Sequence, residues 1–535
     1  MLGDTALAYF ECTCKSAIIF MDRILSLCMN YKIYWTIFFS ILLCATILRL
    51  LPLRDNNFYF TMDQGNDAVH VREIIYHQRP QLLGPETSIF GIYAGPLWYY
   101  FISIGYLLTG GHPVGSVLML ILLNVTLTAI FILKVTHETS PRKGLLVGAL
   151  LQTSWRFYDS SRYGFNPFPI VFFSFILIFL LCDFLKNKNP SSIIWSALPI
   201  GLAFHADLAS ALPLTVLYVL VITLATTRKQ LNLKSLTTCF VIVLLFLIPH
   251  TISEFGNHFS QTKTLIRELH NPNGIFVNSK VHQLTHRVFL DIAASTLRQI
   301  PELGALVTSI VLVFFFKKAR HDKKVNPFVK YFVSLSLTLV AISWIFFVTN
   351  EGWRDWHTIH LAPLIFTSLL LALTVLPKKL AIPIFTLTTI SHISFFISRY
   401  KDYFYPSDDP SILKNEISAI DWVYQRSGGE GFYVYNYLPS IFDYPYQYLF
   451  WWHGLKAYGY LPCEYSSFPS SPKLFIKHPQ DYSQPTRNCR NLRFLIIEPD
   501  KSEPRRQAWM EAARKNTQLI EETNIGNIKV EKRTF

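Results

Sequence analysis

The sequence contains few charged residues, which excludes an ordinary soluble protein. Asp, Glu, Lys and Arg make up 16% of the 535 residues, against about 25% in soluble domains. Hydrophobic residues make up 51%, and the mean hydropathy is +0.29. The composition therefore predicts an integral membrane protein that also carries a smaller soluble portion.

Several sequence motifs are also missing. There is no arginine-rich arm or nucleic-acid motif, so basic cytoplasmic loops explain the net charge of +14 better than nucleic-acid binding does. The eight cysteines lack metal-ligand spacing. No cofactor is expected, although His357 and His360 leave a divalent metal open as a weak alternative. The first apolar run, beginning near Tyr31, is too long for a cleavable signal peptide.

Twelve apolar segments are candidates for membrane helices, each span needing about 20 residues. The segment 93–109 opens with Gly95-Pro96 and is rich in aromatic residues, which suits a re-entrant or surface helix that does not cross. The sequence thus predicts about 11 spans plus one non-crossing helix. The candidate segments lie near 33–53, 93–109, 114–134, 144–158, 167–185, 191–204, 208–226, 235–252, 300–316, 328–349, 358–376 and 380–397.

Basic residues predict which side of the membrane each loop occupies. They concentrate in five connections, which the positive-inside rule places in the cytoplasm. Residues 1–32 then form a cytoplasmic segment, and 33–399 form the membrane domain. The segments 54–113 and 253–299 become outer loops, and 400–535 form an extracytoplasmic α/β domain. The basic residues are Lys134, Arg142, Lys143, Lys186, Lys188, Arg228, Lys229, Lys234, Lys317, Lys318, Arg320, Lys323, Lys324, Lys378 and Lys379.

The C-terminal region alternates helical and strand patterns. Residues 410–426 and 504–515 have the apolar spacing of helices. The runs 431–437, 493–498 and 527–533 have the composition of strands. Cys463 and Cys489 are a disulfide candidate if this domain is extracytoplasmic, and two free thiols are the alternative.

The acidic stretch that follows the first span is the leading candidate for an active site. Carboxylates are costly near a membrane and are usually kept for a function. Asp63 and Asp67 are four residues apart, so a helix would place both on one face, with His70 one turn further along. One carboxylate could act as a general base on an acceptor hydroxyl while the other orients a substrate. The alternative role is a helix N-cap.

Three motifs around these residues resemble those of C-type glycosyltransferases (GT-C). They are Phe60-Thr-Met-Asp-Gln64, Gly84-Pro-Glu-Thr-Ser88 and Gly95-Pro-Leu-Trp-Tyr-Tyr100. The pattern is most similar to protein mannosyltransferases and lipid A aminoarabinose transferases, over about the first 250 residues. In that family the catalytic Asp is usually followed by Glu. Here Asp63 matches the first position, Gln64 occupies the second, and Asp67 matches only looser bacterial variants.

The resemblance implies transfer of a sugar from a polyprenyl-phosphate donor to a lipid, glycan or protein acceptor outside the cytoplasm. One base can suffice, because a lipid phosphate already leaves readily, whereas glycoside hydrolysis needs two carboxylates. Direct displacement would invert the anomeric carbon. The expected location is a bacterial plasma membrane. A lipid-linked sugar transporter or flippase, a glycan polymerase or ligase using residues 253–299, and a non-catalytic scaffold are alternatives.

Further polar residues are candidates for substrate binding. Arginine matches phosphate oxygens, so Arg72, Arg162 and Arg354 are proposed phosphate contacts. Arg162-Tyr163 resembles the family's Arg-Tyr element, with Asn166 near the position of its Asp; a simple turn is the alternative. The remaining candidates, each with a structural alternative such as a cap or a hydrogen-bonded pair, are His70, His205, Asp207, Glu254 and His357.

One aromatic run in the C-terminal domain, 444–453, has two interpretations. Aromatic faces stack on sugar rings, but packing in a hydrophobic core explains such runs more often.

Overall fold

The computed structural model describes residues 30–270, 285–286, 290, 296–348, 354–405, 407–469 and 487–535. These residues form a bundle of apolar helices and a C-terminal domain built on a mixed sheet. The two parts share one hydrophobic cluster, which runs from Trp98 in the bundle through Phe60 and Tyr448 to Val434 in the sheet. The protein is therefore an α-helical multi-pass membrane protein with a small α/β domain packed on it, as predicted.

The helices of the bundle follow one another with short connections. In chain order they are α1 Tyr31–Leu50, α2 Met62–Ile75, α3 Leu97–Leu108, α4 Val114–Glu138, α5 Pro141–Leu151, α6 Trp155–Asp159, α7 Ile170–Asn187, α8 Pro190–Trp195, α9 Ala197–Ala203, α10 Leu208–Thr227, α11 Leu233–Gly256, α12 Ser260–His270, α13 Pro301–His321, α14 Pro327–Val348, α15 Leu361–Leu373 and α16 Lys378–Tyr400. Short 3-10 turns occupy Leu51–Asn56, Asp355–Thr358 and Lys401–Phe404.

Eight helical segments of the described chain are long and apolar enough to cross a membrane. Three predicted spans fall outside this set. Segments 144–158 and 191–204 are each broken into two short helices, and 300–316 belongs to α13, which ends in charged residues. The total of eleven spans therefore remains a prediction. The eight segments are Tyr31–Asn56, Val114–Glu138, Ile170–Asn187, Leu208–Thr227, Leu233–Gly256, Pro327–Val348, Asp355–Leu373 and Lys378–Phe404.

Two sets of connections define the two ends of the bundle. At the first, called the basic end, Lys134 pairs with Asp183, and Lys186 Nζ lies 2.7 Å from Glu138 Oε2. Lys143 belongs to the same end, with its Nζ 3.5 Å from the Thr374 carbonyl oxygen. The structure thus brings basic loops that are far apart in sequence to a common end, in agreement with the charge pattern.

The opposite end is called the site end. Its connections contact one another through Asn166, which donates to the Ala206 carbonyl at 2.7 Å, and through Gly95, which donates to the Phe204 carbonyl at 3.0 Å. His250 Nε2 lies 2.7 Å from the Tyr93 carbonyl oxygen. The acidic stretch and the C-terminal domain lie at this end.

Helix α3 begins and ends at the site end. Gly95, just before it, contacts Phe204, and Gly111, just after it, accepts a hydrogen bond from the Tyr448 hydroxyl at 2.6 Å. Its 12 residues span about 18 Å, which is short of a membrane core. It packs beside α2, so the structure agrees with the prediction of a non-crossing helix.

The C-terminal domain is a five-stranded sheet with helices on both faces. Its elements are α17 Leu413–Ser427, β1 Gly431–Tyr437, α18 Tyr444–Leu449, α19 Leu455–Tyr458, β2 Glu464–Ser466, β3 Cys489–Ile497, α20 Glu503–Arg514, β4 Gln518–Ile525 and β5 Ile528–Thr534, with a π-helical turn at Phe450–Gly454. The strand order is β2-β1-β3-β5-β4. Strand β1 is parallel to β2 and β3, while β5 is antiparallel to β3 and β4.

The period-two alternation of the strands assigns their side chains to two cores. Val434 and Phe494 face α17 in the main hydrophobic cluster. Tyr435 and Leu495 face the opposite side, where Met510 of α20 covers them. The predicted helices and the three predicted strands are present, whereas β2 and β4 were not predicted. The structure joins Cys463 and Cys489 by a disulfide.

Candidate active site

Helix α2 starts with a capping box that leaves Asp63 uninvolved. Thr61 is the N-cap, and its backbone N–H donates to Gln64 Oε1 at 2.9 Å. The Thr61 hydroxyl donates to the same oxygen at 2.6 Å. Gln64, which replaces the Glu of the family motif, therefore caps the helix. Because Asp63 lies in the first helical turn without being the cap, the N-cap alternative does not explain it.

The Asp63 side chain is exposed at the site end. Among the described residues its carboxylate has no hydrogen-bond or ion-pair partner. The surrounding protein removes most of the bulk solvent, and this desolvation raises the pKa of Asp63 above its ordinary value. A carboxylate that is reachable, unpaired and more basic than usual has the properties required of a general base.

Asp67, one turn further along, occupies a different environment. It is only 3% exposed, and Trp98 Nε1 of α3 donates to its Oδ2 at 2.6 Å. Burial raises its pKa well above the ordinary value, although the Trp98 hydrogen bond opposes this. Asp67 therefore links α2 to α3, and it lies near enough to Asp63 for the Asp63 carboxylate to raise its pKa further.

A wall of aromatic rings holds Arg162, and one of its members, Tyr163, lies near Asp63. The Arg162 guanidinium carbon lies 3.7 Å from the ring centre of Tyr403 and 5.5 Å from that of Tyr59. Arg162 Nε is 3.2 Å from Asp159 Oδ1. Burial, together with the carboxylates of Asp159 and Asp63, raises the pKa of the neighbouring Tyr163 hydroxyl. Tyr163 therefore lies near Asp63, and Arg162 precedes it in the chain.

Arg72 is not exposed beside Asp63. Its side chain is fully buried beneath the C-terminal domain, with the guanidinium carbon 5.3 Å from the ring centre of Trp451. Its Nη2 lies 3.6 Å from Glu73 Oε1. A polyprenyl phosphate would have to displace the domain to reach it, so the predicted phosphate contact is not supported here.

Three other predicted binding residues make structural contacts. His70 stacks on Tyr99 with ring centres 4.7 Å apart. His205 Nδ1 accepts from the Leu97 N–H at 3.3 Å, at the start of α3, so its Nε2 donates to the Phe246 carbonyl at 3.0 Å. Burial lowers the pKa of His205 to about 4, which keeps the ring neutral. Asn166 donates to the Ala206 carbonyl. His70, His205 and Asn166 therefore stabilise the connections of the site end.

Asp207 and His357 form a buried pair. Asp207 Oδ2 is 2.9 Å from His357 Nδ1, and the Ser210 N–H donates to the same carboxylate oxygen at 3.3 Å. Burial alone would raise the pKa of Asp207, but His357 and the Ser210 hydrogen bonds outweigh burial and lower it. Asp207 is also the N-cap of α10. These contacts favour a structural role for Asp207 and His357 over substrate binding.

Glu254 caps the start of α12, which is the structural role that was the alternative to substrate binding. Its Oε1 accepts from the Gln261 N–H at 3.0 Å, and its Oε2 accepts from the Thr262 N–H at 2.9 Å, at the start of α12. Arg354 is exposed at the site end, next to Asp355. Its exposure leaves a contact with a substrate phosphate as an open proposal.

The C-terminal domain packs directly against α2. A Cβ built on Gly65 would lie 2.4 Å from the Pro445 nitrogen, so only glycine fits at this contact. The adjoining aromatic run is mostly core: Tyr446, Tyr448 and Phe450 are at most 1% exposed. Trp451, half-buried, covers Arg72. Core packing therefore accounts for this run better than sugar stacking does.

Sequence reasoning missed the roles of several residues. Trp98 was recognised only as part of a motif, and Tyr59 and Tyr403 were not singled out. Arg49 was also missed, although a charge near the end of an apolar span is a signal. Its guanidinium donates to Ser161 Oγ at 2.9 Å and thereby fixes the turn before Arg162. Within the described ranges, no group of three or more His, Cys, Asp or Glu residues is arranged to hold a metal ion.

The chain is similar to one protein family in sequence and to solved structures in fold. A family model described as dolichyl-phosphate-mannose-protein mannosyltransferase matches residues 94–252. The crystal structure of ArnT from Cupriavidus metallidurans bound to undecaprenyl phosphate superposes with a TM-score of 0.60 at 10% identity, covering 94% of this chain and 98% of that one. Its apo state gives a TM-score of 0.57 at 10% identity, covering 93% and 97%.

This chain has the GT-C fold. An oligosaccharyltransferase from Archaeoglobus fulgidus is a more distant likeness, with a TM-score of 0.47, 11% identity, and coverage of 90% of this chain and 71% of that one. No curated protein sequence matches significantly. The family model and the shared fold together support a membrane glycosyltransferase of the ArnT and protein-mannosyltransferase type, as the sequence motifs implied.

Proposed function

We propose that this protein transfers a sugar from a polyprenyl-phosphate donor to an acceptor hydroxyl or amine outside the cytoplasm. The class of donor is suggested by the ArnT structure, which holds undecaprenyl phosphate, and by the family model, which is named for dolichyl-phosphate-mannose. The lipid tail of such a donor would run along the bundle, and its phosphate would lie at the site end.

The proposed mechanism uses Asp63 as its only base. The Asp63 carboxylate removes the proton from the acceptor, and the acceptor atom forms a bond to the anomeric carbon of the sugar. The bond from that carbon to the phosphate oxygen breaks, and its electron pair leaves with the polyprenyl phosphate. Attack from the opposite face inverts the anomeric carbon. The leaving phosphate needs no protonation, so a second catalytic acid is unnecessary.

Arg162 is the proposed phosphate contact, with exposed Arg354 as a second. A guanidinium can bind two phosphate oxygens in parallel. Arg162 is held in place by the rings of Tyr403 and Tyr59 and by Asp159. Such support orients the side chain before the donor arrives. It also keeps the cation within the same wall as Tyr163, which adjoins Asp63.

The observation that carries the proposal is the state of Asp63. It is exposed and has no partner among the described residues, and its pKa is raised by the surrounding protein. Carboxylates elsewhere at the site end, such as Asp207 and Glu254, are engaged by several donors. Asp63 is therefore the carboxylate best placed to accept a proton.

The test compares Asp63→Asn with Asp55→Asn in a deletion strain. Asp55 is an exposed carboxylate just upstream, in the left-handed region (φ 58°) that Asn also tolerates. Asp63→Asn should lower transfer by at least about 100-fold, the usual contribution of a general base. The measurement is mass spectrometry of surface lipids and glycans, with protein levels matched by immunoblot.

In this experiment the wild type and Asp55→Asn should restore the glycosylated product that the deletion removes. Restoration of the product by Asp63→Asn at equal expression would contradict the assignment of Asp63 as the base.

A further inference from the structure

A cavity of about 230 Å³ lies at the basic end, opposite the end that contains Asp63. Lysines from separate parts of the chain line it: Lys143 from the first turn of α5, Lys318 from the last turn of α13, and Lys324 from the connection between α13 and α14. Its volume is below the roughly 300–1,000 Å³ of pockets for whole small molecules. The cavity therefore suits a compact ionic group.

The charges around the cavity are not balanced. Its one acidic lining residue is Asp322, whose Oδ1 accepts the Lys324 backbone N–H at 2.9 Å. Among the described residues, neither Lys318 nor Lys324 forms an ion pair. Lys143 Nζ reaches only the Thr374 carbonyl oxygen, at 3.5 Å. Three ammonium groups thus surround a space that contains one carboxylate.

The neighbouring acid at this end is already neutralised. Glu138 Oε2 lies 2.7 Å from Lys186 Nζ, and its Oε1 lies 3.3 Å from Lys134 Nζ. Glu138 consequently has no capacity left to balance the cavity. The carboxylates that compensate other lysines at the basic end do not compensate these three.

Two helix N-termini add to the positive potential. Helix α14 begins at Pro327, and Asn326, which lines the cavity, caps it by accepting the Phe328 N–H at 2.8 Å. Helix α5 begins at Pro141, next to the lining residue Thr139. Asn326 and the N-cap Ser140 each accept one backbone N–H of these helices, so it is the helix dipole that favours an anion nearby. The lysines and both helix N-termini therefore all make the electrostatic potential in the cavity more positive.

We propose that this cavity binds a phosphate-bearing anion, and that the headgroup of an anionic phospholipid supplies it. The helices α13, α14 and α15 begin or end at the cavity, so it opens at the level where their apolar residues give way to polar ones. Basic pockets between membrane helices commonly hold acidic lipid headgroups. The positive-inside rule explains lysines in these loops, but it does not require lysines of separate loops to line one cavity.

The test uses native mass spectrometry of the full-length protein in detergent. Dioleoyl phosphatidylglycerol is titrated against the wild type, with dioleoyl phosphatidylcholine as the neutral comparison. The variant is the triple substitution Lys143→Gln, Lys318→Gln and Lys324→Gln. The matched control replaces three exposed basic-end residues outside the cavity by Gln: Lys188, Arg228 and Lys229. A parallel arm measures thermal stabilisation by inorganic phosphate.

The wild type and the control should retain phosphatidylglycerol selectively, and the triple variant should bind it at least tenfold more weakly. If the triple variant does not purify as a monodisperse protein, Lys318→Gln and Lys324→Gln alone should each weaken binding about fivefold. Stabilisation of the wild type but not of the triple variant by inorganic phosphate, without lipid selectivity, would keep an anion site at the cavity but overturn its assignment to a lipid headgroup. Equal phosphatidylglycerol binding by the triple variant, or equal retention of phosphatidylcholine, would overturn the proposal.

Discussion

The two ends of the helix bundle differ in whether their carboxylates are paired. At the basic end, Glu138 is almost completely buried and bonded to Lys134 and Lys186. At the site end, Asp63 is exposed and has no partner among the described residues. A paired carboxylate is stabilised as an anion and is a poor proton acceptor. An unpaired, partly desolvated one is more basic.

This contrast separates structural charges from functional ones without reference to any relative. Charge near a membrane is costly, so a charge that no neighbour compensates needs another explanation. At the basic end, pairing and loop topology account for Lys134, Lys186, Glu138 and Asp183. At the site end, neither pairing nor capping accounts for Asp63.

Apart from Asp63→Asn, Gly65→Ala should have the largest effect on transfer. Its Cβ would collide with the Pro445 backbone and push the C-terminal domain away from α2. We expect transfer to fall at least about tenfold and the thermal unfolding temperature to drop. Intrinsic helix propensity predicts the opposite sign, because Ala stabilises a helix by about 1 kcal/mol relative to Gly.

Gly256→Ala is the matched control for this substitution. Gly256 is the last residue of α11, and no atom lies within 4 Å of the position its Cβ would take. This variant should keep wild-type transfer and stability. If Gly65→Ala were as active and stable as Gly256→Ala, the contact between the C-terminal domain and α2 would not matter for function.

Asp67→Asn should have a moderate effect. Burial raises the pKa of Asp67, so its carboxyl holds a proton at pH values where an exposed Asp is ionised, and Asn resembles that neutral form. Its Oδ1 can still accept from Trp98 Nε1. We expect transfer to stay within about tenfold of the wild type, unlike Asp63→Asn, measured in the same assay.

The pH dependence of stability provides a second readout for Asp67. A carboxyl whose pKa is raised on folding stabilises the folded state fully below its unfolded pKa of about 3.9. That contribution is lost as pH rises through the folded pKa. Asp67→Asn should remove this decline, as followed by thermal unfolding across pH. A complete loss of transfer in Asp67→Asn would instead indicate a second catalytic carboxylate.

Glu138→Gln should have the smallest effect on transfer. The change leaves Lys134 and Lys186 without their shared acid, so we expect the free energy of unfolding to fall by roughly 1–3 kcal/mol. Transfer per folded molecule should stay within about twofold of the wild type. Exposed Glu302→Gln is the control and should change neither quantity. A specific loss of transfer in Glu138→Gln would break the contrast between the two ends.

Local sequence patterns were sufficient for much of the fold. Long apolar runs give the spans because the bilayer sets their length. Alternation and turn residues gave β1 and β3 in the C-terminal domain. The two missing strands carry weak signals: β2 has three residues, and β4 (Gln518–Ile525) contains several polar ones. Asp63 was located by its motif, and the paired cysteines by the location expected for their domain.

The rest of the site depends on contacts between distant parts of the chain. Arg72 has the sequence context of a surface helix, yet the C-terminal domain buries it under Trp451. Glu254 resembles a second catalytic acid until the backbone of α12 is seen to occupy it. Gly65 has no visible role until Pro445 is placed against it. These contacts cannot be predicted from local sequence patterns, because they depend on how distant parts of the chain pack together.

The most direct test of the account is the sidedness of position 63. In a background lacking all cysteines except the Cys463–Cys489 pair, single cysteines at Asp63 and at the exposed basic-end residue Lys188 are labelled in intact cells with an impermeant maleimide. We predict labelling of position 63 from outside, and labelling of position 188 only after the membrane is permeabilised. Labelling of position 63 only after permeabilisation would contradict an active site that faces away from the cytoplasm.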